Sequence, residues 1–98
     1  MNKKNSENTE LEQKLFDTIV KEMNLSDIIA ELPPEKLTFD TPLFEALDPD
    51  GIALDSIAAF ELVVLLESNF HITVADEDMK KLTSIKNIAA YLEAGRNA

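Results

Sequence analysis

A chain of 98 residues, 45% of them hydrophobic and none of them cysteine, fits one folded domain and excludes a disulfide scaffold, a thiolate nucleophile and any zinc or iron–sulfur site that needs thiolate ligands. The net charge is −10, and the whole acidic excess lies between Leu37 and Met79, where ten Asp and Glu stand with no Lys or Arg among them. Such a stretch repels nucleic-acid phosphates and anionic lipid and attracts basic protein patches, so a basic protein partner is expected and nucleic acid is not.

Residues 1–8 are polar and charge-balanced and read as a flexible tail. They lack the apolar core of a signal peptide, and no apolar run approaches the roughly 18 residues that cross a bilayer, so a cytoplasmic chain without membrane insertion is expected. Thr9-Glu10-Leu11-Glu12 has the form of a capping box, and Leu11, Leu15, Ile19 and Met23 then recur every four residues, flanked by Phe16 and Val20. This is a first amphipathic helix, which Asn24 can end. Ser26 to Leu32 can add another turn or two before Pro33-Pro34 stops it. From Glu35 to Leu54 no period is sustained, yet Leu37, Phe39, Leu43, Phe44 and Leu47 read as anchors of an ordered loop, with a short helical turn near Leu43–Leu47.

Asp55 or Ser56 opens the strongest helix, in which Ala59, Leu62, Val63, Leu66 and Phe70 mark the buried face. Ile72-Thr73-Val74 has no second strand to pair with and reads as a connection. Asp76 is expected to cap a short helix through Leu82, and Thr83 or Ser84 to cap a last one, with Ile85, Ile88, Ala89 and Leu92 on one face, ending near Gly95. The expected fold is therefore all-α: a small four-helix bundle of three longer helices and one short one, with a long ordered loop before the second helix. The bundle domain is placed at 9–94, with a tail at 95–98.

The single Ser, His and Asp grouping, Asp55-Ser56 with His71, fails as a hydrolase triad. A continuous helix between them separates serine from histidine by roughly 22 Å at ~1.5 Å per residue. His71 reads instead as a helix C-terminal residue. Asp48-Pro49-Asp50-Gly51 hints at calcium, but with Gly51 at position six of an EF-hand loop, position twelve would be Ile57 rather than the required glutamate. A weak divalent site among Asp48, Asp50 and Asp55, or along Asp76-Glu77-Asp78, stands against plain capping and solvation. Ser56 lies where a long loop meets a helix N-terminus, whose free amides and dipole favour a bound or attached phosphate; an ordinary cap is the alternative.

The run from Asp55-Ser56-Ile57 through Glu61-Leu62-Val63, Leu66-Glu67 and Phe70 resembles the D-S-L/I…E-L-V…L-E…F core of acyl carrier proteins. Thr41-Pro42-Leu43-Phe44 is similar to their P-L-F loop element, Val74-Ala75-Asp76-Glu77-Asp78 to their I-P-D-E-D helix start, and Thr83 to Leu92 to their last helix, so the likeness runs collinearly over about residues 9–94. It implies that Ser56 is esterified by 4′-phosphopantetheine, with Asp55 as the adjacent motif residue, and that the arm's thiol carries acyl groups as thioesters. Ser56 would then be an attachment point, and the chain a carrier rather than an enzyme.

The implied partners of this expected monomer are a phosphopantetheinyl transferase and acyl-ACP synthetase, acyltransferase or synthase-type enzymes of fatty-acid, polyketide or related lipid biosynthesis. Ile57, Glu61 and Glu67 are the residues expected to dock them. Phe60 and Val64 lie on the same side of the helix and either face partners or pack on Phe39 or Phe44. Ala53 stands where the family has glycine, and Asp48-Pro49-Asp50-Gly51 replaces its L-G-x turn. Ala58 replaces an acid usual in fatty-acid synthesis carriers, which favours a specialised acyl carrier. An aminoacyl, peptidyl or D-alanyl carrier of the same fold, or an unmodified acidic helical adaptor, are the alternatives.

Overall fold

The computed structural model describes residues 3–97, and the side chains of 10–95. Helix α1 spans Lys3–Glu22. It begins six residues before Thr9, so the Thr9–Glu12 signature lies inside the helix and is not its cap. Residues 3–8, expected as a tail, are helical backbone, and residues 1–2 lie outside the described residues. The stretch from Lys3 to Asn8 contains no proline or glycine to break a helix, so a polar segment can continue one. Leu15 and Ile19 of α1 are buried, with Leu11, Phe16, Val20 and Met23 packed at the edge of the core. The helix ends at Asn24, whose φ is 56°. The Leu25 amide returns to the Val20 carbonyl at 2.9 Å and the Asn24 amide to Lys21 at 3.4 Å, the paired closure that a left-handed residue permits.

Short helix α2, Ser26–Glu31, stops before the two prolines, and Pro34–Lys36 forms a single 3₁₀ turn. The loop that follows is ordered because neighbouring elements take up its backbone groups. The Lys86 amide donates to the Phe39 carbonyl at 2.9 Å, and the Leu43 amide to Thr83 at 2.8 Å. Phe44 and Leu54 pair as an isolated parallel bridge, through Glu45 N–H to the Leu54 carbonyl at 3.0 Å and Leu54 N–H to Leu43 at 2.9 Å. Leu43 is buried as expected, and the Phe39 ring lies 6.3 Å from that of Phe16. Leu37 and Leu47, by contrast, are exposed and anchor nothing. Their places are taken by Ile52 and Leu54, both buried on the returning limb. The expected turn is present, with the Leu47 and Asp48 amides both donating to the Phe44 carbonyl.

Helix α3, Ser56–Phe70, is followed by an extended connection, a 3₁₀ segment Asp76–Lys81 and helix α4, Ile85–Asn97. Asp76 does not cap: Ala75 holds the cap position, with no side-chain bond, and the short segment is 3₁₀ rather than α. Ser84 does cap α4, its Oγ accepting from the Asn87 amide at 3.1 Å. Gly95 lies within α4 instead of ending it, and residue 98 of the expected tail lies outside the described residues. Helix α1 packs against α3 and α4, and α4 against the 3₁₀ segment, around Leu15, Leu62, Leu66, Leu82, Ile88 and Leu92. The all-α bundle with its long loop is thus the architecture of the chain.

A polar contact fastens the 3₁₀ segment to α4: the Tyr91 hydroxyl donates to Asp78 Oδ2 at 2.8 Å, beside the Lys81 ammonium at 3.1 Å from Oδ1. The phenol first, then Lys81, holds the Asp78 carboxyl below its ordinary range, while Asp78 raises the Tyr91 phenol. A carboxylate with a lowered folded pKa contributes stability above its unfolded value, about 4, that is lost as pH falls through the folded one. The raised phenol contributes stability below about 10 that is lost as pH rises through its folded value. Tyr91→Phe is therefore expected to lower the melting temperature most at neutral pH, with the gap to the parent protein narrowing in acid and again in strong alkali. Melting curves across pH check this, and a gap independent of pH would contradict it.

Candidate functional site

The N-terminus of α3 is built by Asp55, which has extended backbone (φ −91°, ψ −176°) and accepts the Ala58 amide on Oδ1 at 2.8 Å. Asp55 is thus the cap, and Ser56 is the first helical residue, exposed to solvent. Released from capping, its hydroxyl is available for attachment. Beside it lies an open depression walled by Phe44, Glu45 and Ala46 on one limb of the loop and by Leu54, Asp55 and Ser56 on the other. An exposed hydroxyl at a helix start with open space next to it suits a bulky phosphodiester, so the residues present fit a 4′-phosphopantetheine group.

The loop reaches this helix through Ala53, whose φ is 56°. A Cβ in left-handed backbone costs about 1–2 kcal/mol, which glycine avoids. Such a turn suits the glycine that the resemblance implies at this position, and here it is made with alanine. Ala53→Gly is expected to stabilise the protein by about 0.5–1 kcal/mol after the extra unfolded-state freedom of glycine is deducted. A calorimetric melting temperature unchanged or lowered would refute the assignment of strain.

His71 closes the far end of α3 in left-handed backbone, φ 56°, so the whole helix separates this imidazole from Ser56. Among the described residues no three His, Asp or Glu gather to hold an ion. Of Asp48, Asp50 and Asp55, the three acids weighed as a weak divalent site, Asp48 is taken by Lys36 at 2.9 Å and Asp55 by the cap. In Asp76-Glu77-Asp78, Asp78 is taken by Tyr91 and Lys81.

Ile57, Phe60 and Val64 are 68%, 62% and 61% exposed, and with Glu61, also exposed, they form one stripe at helical spacing running away from Ser56. Phe60 and Val64 therefore do not pack on Phe39 or Phe44. Glu67 is half-buried, and its Oε2 accepts the Val74 amide at 2.9 Å, tying α3 to the connection that follows. That bond occupies one of its oxygens and turns it to a structural use. On the inner face Leu65 is buried beside Leu62 and Leu66, while Phe70 and Val63 are only partly so. Sequence reading missed the Lys36–Asp48 pair; the lone lysine just before the acidic stretch is the signal that points to it.

Residues 24–92 match the phosphopantetheine attachment site family. The chain is 37% identical to an acyl carrier protein of Akkermansia muciniphila over 81 residues, covering 81% of this chain and 95% of that one. It is 36% identical to an acyl carrier protein of an Exiguobacterium species over 77 residues (76% and 96%), and 32% identical to one of Syntrophobacter fumaroxidans over 83 residues (85% and 100%). No solved structure matches. The family model and these relatives make the chain a carrier rather than an enzyme or an unmodified adaptor. Collinear likeness over nearly the full length of these relatives, on a helical bundle with a serine at the head of α3, makes the chain a member of the acyl carrier protein family, with covalent 4′-phosphopantetheine as its cofactor.

Proposed function

We propose that Ser56 Oγ is the attachment point of the 4′-phosphopantetheine arm and that the chain presents acyl groups to cytoplasmic enzymes of fatty-acid, polyketide or related lipid biosynthesis. The arm supplies a terminal thiol that holds the acyl group as a thioester. The chain's own residues fix where that arm starts. The observation that carries the reading is the division of labour at the helix start, where Asp55 caps and Ser56 is left exposed beside an open depression. Tethering replaces free diffusion of substrate by an effective concentration set by the arm's reach, and a chain without cysteine offers no competing side-chain thiol.

The exposed Ile57, Phe60 and Val64 with Glu61 are the face offered to partners, and the acidic stretch favours enzymes with Arg or Lys around their entrance. Ala58 in place of an acid on the first turn of α3 supports a specialised acyl carrier. Incubation with coenzyme A and a phosphopantetheinyl transferase, followed by intact-mass and peptide mass spectrometry, tests the site. One added group on the peptide containing Ser56 is expected, and the acyl or aminoacyl group found on protein isolated from its source then distinguishes an acyl carrier from an aminoacyl one.

A further inference from the structure

The loop before Ser56 is closed at its ends and clamped at its middle. Its ends meet at the Phe44–Leu54 bridge, and between them the chain turns at Asp48-Pro49-Asp50-Gly51. Asp48 is only 12% exposed at its side chain, and Lys36 Nζ, arriving from the 3₁₀ turn, donates to both of its oxygens at 3.0 and 2.9 Å. No other Lys or Arg occurs from there to Met79. Gly51 lies close on the other side of the carboxylate: a Cβ there would stand 2.7 Å from Asp48 Oδ2, so the carboxylate is fixed by the lysine in front and the backbone behind. The Asp48 hydrogen bond, outweighing desolvation and aided by the charges of Asp48 and Asp50, holds the Lys36 ammonium above its ordinary range.

We propose that Lys36 and Asp48 are positioning residues for modification at Ser56, their ion pair holding the 45–53 loop so that the wall formed by Phe44, Glu45 and Ala46 stands beside the serine hydroxyl. Removing the ammonium leaves a largely enclosed carboxylate without its cation, and the cheapest remedy is for the turn at Asp48 to swing into water. The adjoining Glu45–Ala46 wall moves with it. Ser56 itself stays, because its helix is held by the Asp55 cap and the core. The pair therefore acts on the surface a transferase or acyl-handling enzyme meets around the serine, and not on the serine's chemistry.

The inference rests on Ser56 being the attachment point, and the test separates the two. Wild-type protein, Lys36→Met, Lys36→Arg and Asp48→Asn are compared for the rate of phosphopantetheine transfer from coenzyme A by a transferase, at a temperature where each is folded. Amide hydrogen exchange is measured in parallel. Lys36→Met and Asp48→Asn are expected to raise the KM for the carrier about fivefold with kcat little changed, and Lys36→Arg, which restores a bidentate cation, to return it to within about twofold of the parent. Exchange of the Glu45 and Leu54 amides, which close the bridge, is expected to quicken in Lys36→Met while those of Leu62 and Leu66 keep their protection. Parent-like KM in Lys36→Met, unchanged exchange at Glu45 and Leu54, or a defect that Lys36→Arg does not relieve overturns the proposal. Wild-type protein that takes the group elsewhere than Ser56 overturns the attachment reading instead, and the exchange experiment still decides whether the pair holds the loop.

Discussion

Ser56→Ala is expected to abolish phosphopantetheine loading completely while leaving the melting temperature close to that of the parent. The two halves of this expectation have different physical origins. Loading requires a hydroxyl oxygen that can form the phosphodiester, and alanine has none. Stability is spared because the helix cap is the neighbouring carboxylate, Asp55 Oδ1 on the Ala58 amide, and because alanine is the best helix former at an exposed first-turn position. Asp55→Ala should show the inverse pattern, costing about 1 kcal/mol of stability as a lost cap while leaving the hydroxyl in place. Two other serines are poor substitutes. Ser84 is 4% exposed with its Oγ committed to the Asn87 amide, and Ser26 opens a helix of six residues on the other side of the long loop. Intact mass after incubation with coenzyme A and a transferase reads the first half, and thermal unfolding the second. A Ser56→Ala protein that still gains the group would move the attachment point to another residue.

What could be read from the sequence follows from how local the determining forces are. The α3 start was legible because an Asp-Ser pair before a 3.6-residue apolar period is a short-range signal, and the end of α1 because Asn tolerates left-handed backbone. The start of α1 was not, since a T-x-x-E pattern sits as comfortably on a helix surface as at a cap, and only the absence of breakers upstream decides the matter. That Leu37 and Leu47 are not anchors was not legible, because hydrophobicity says that a loop residue can be buried, not which limb turns inward; here that limb is the one returning through Ile52 to Leu54, which the bridge with Phe44 holds against the core. Longer-range contacts were out of reach for the same reason. Lys36 meets Asp48 across twelve residues, Asp78 meets Tyr91 across thirteen, and Glu67 captures the Val74 amide, each depending on how whole elements pack.

Changes on the exposed stripe of α3 are expected to give the second-largest effect, because that stripe has apolar side chains which the fold does not use. Ile57 is 68% exposed one residue after Ser56, so truncating it removes almost nothing from the core. An isoleucine entering an apolar pocket on a partner would contribute about 1.5 kcal/mol of transfer free energy, and Ile57→Ala is accordingly expected to lower transferase loading or acyl transfer about tenfold, with the melting temperature unchanged. Glu61 lies one turn further along the same face and is exposed, where a charge pair with a partner's Arg or Lys acts mainly on encounter. Glu61→Lys should therefore slow association, with a defect that is largest at low salt and shrinks as ionic strength shortens the Debye length from about 30 Å at 0.01 M toward about 8 Å at 0.15 M. The two substitutions are distinguishable by that salt response, since the apolar contact of Ile57 does not weaken as salt rises. Glu67, half-buried with an oxygen on the Val74 amide, should behave unlike either: Glu67→Gln should lower the melting temperature more than it slows loading. If Ile57→Ala destabilises the fold while the folded fraction is loaded at the parent rate, the side chain serves the core and the docking face must be sought elsewhere on the domain.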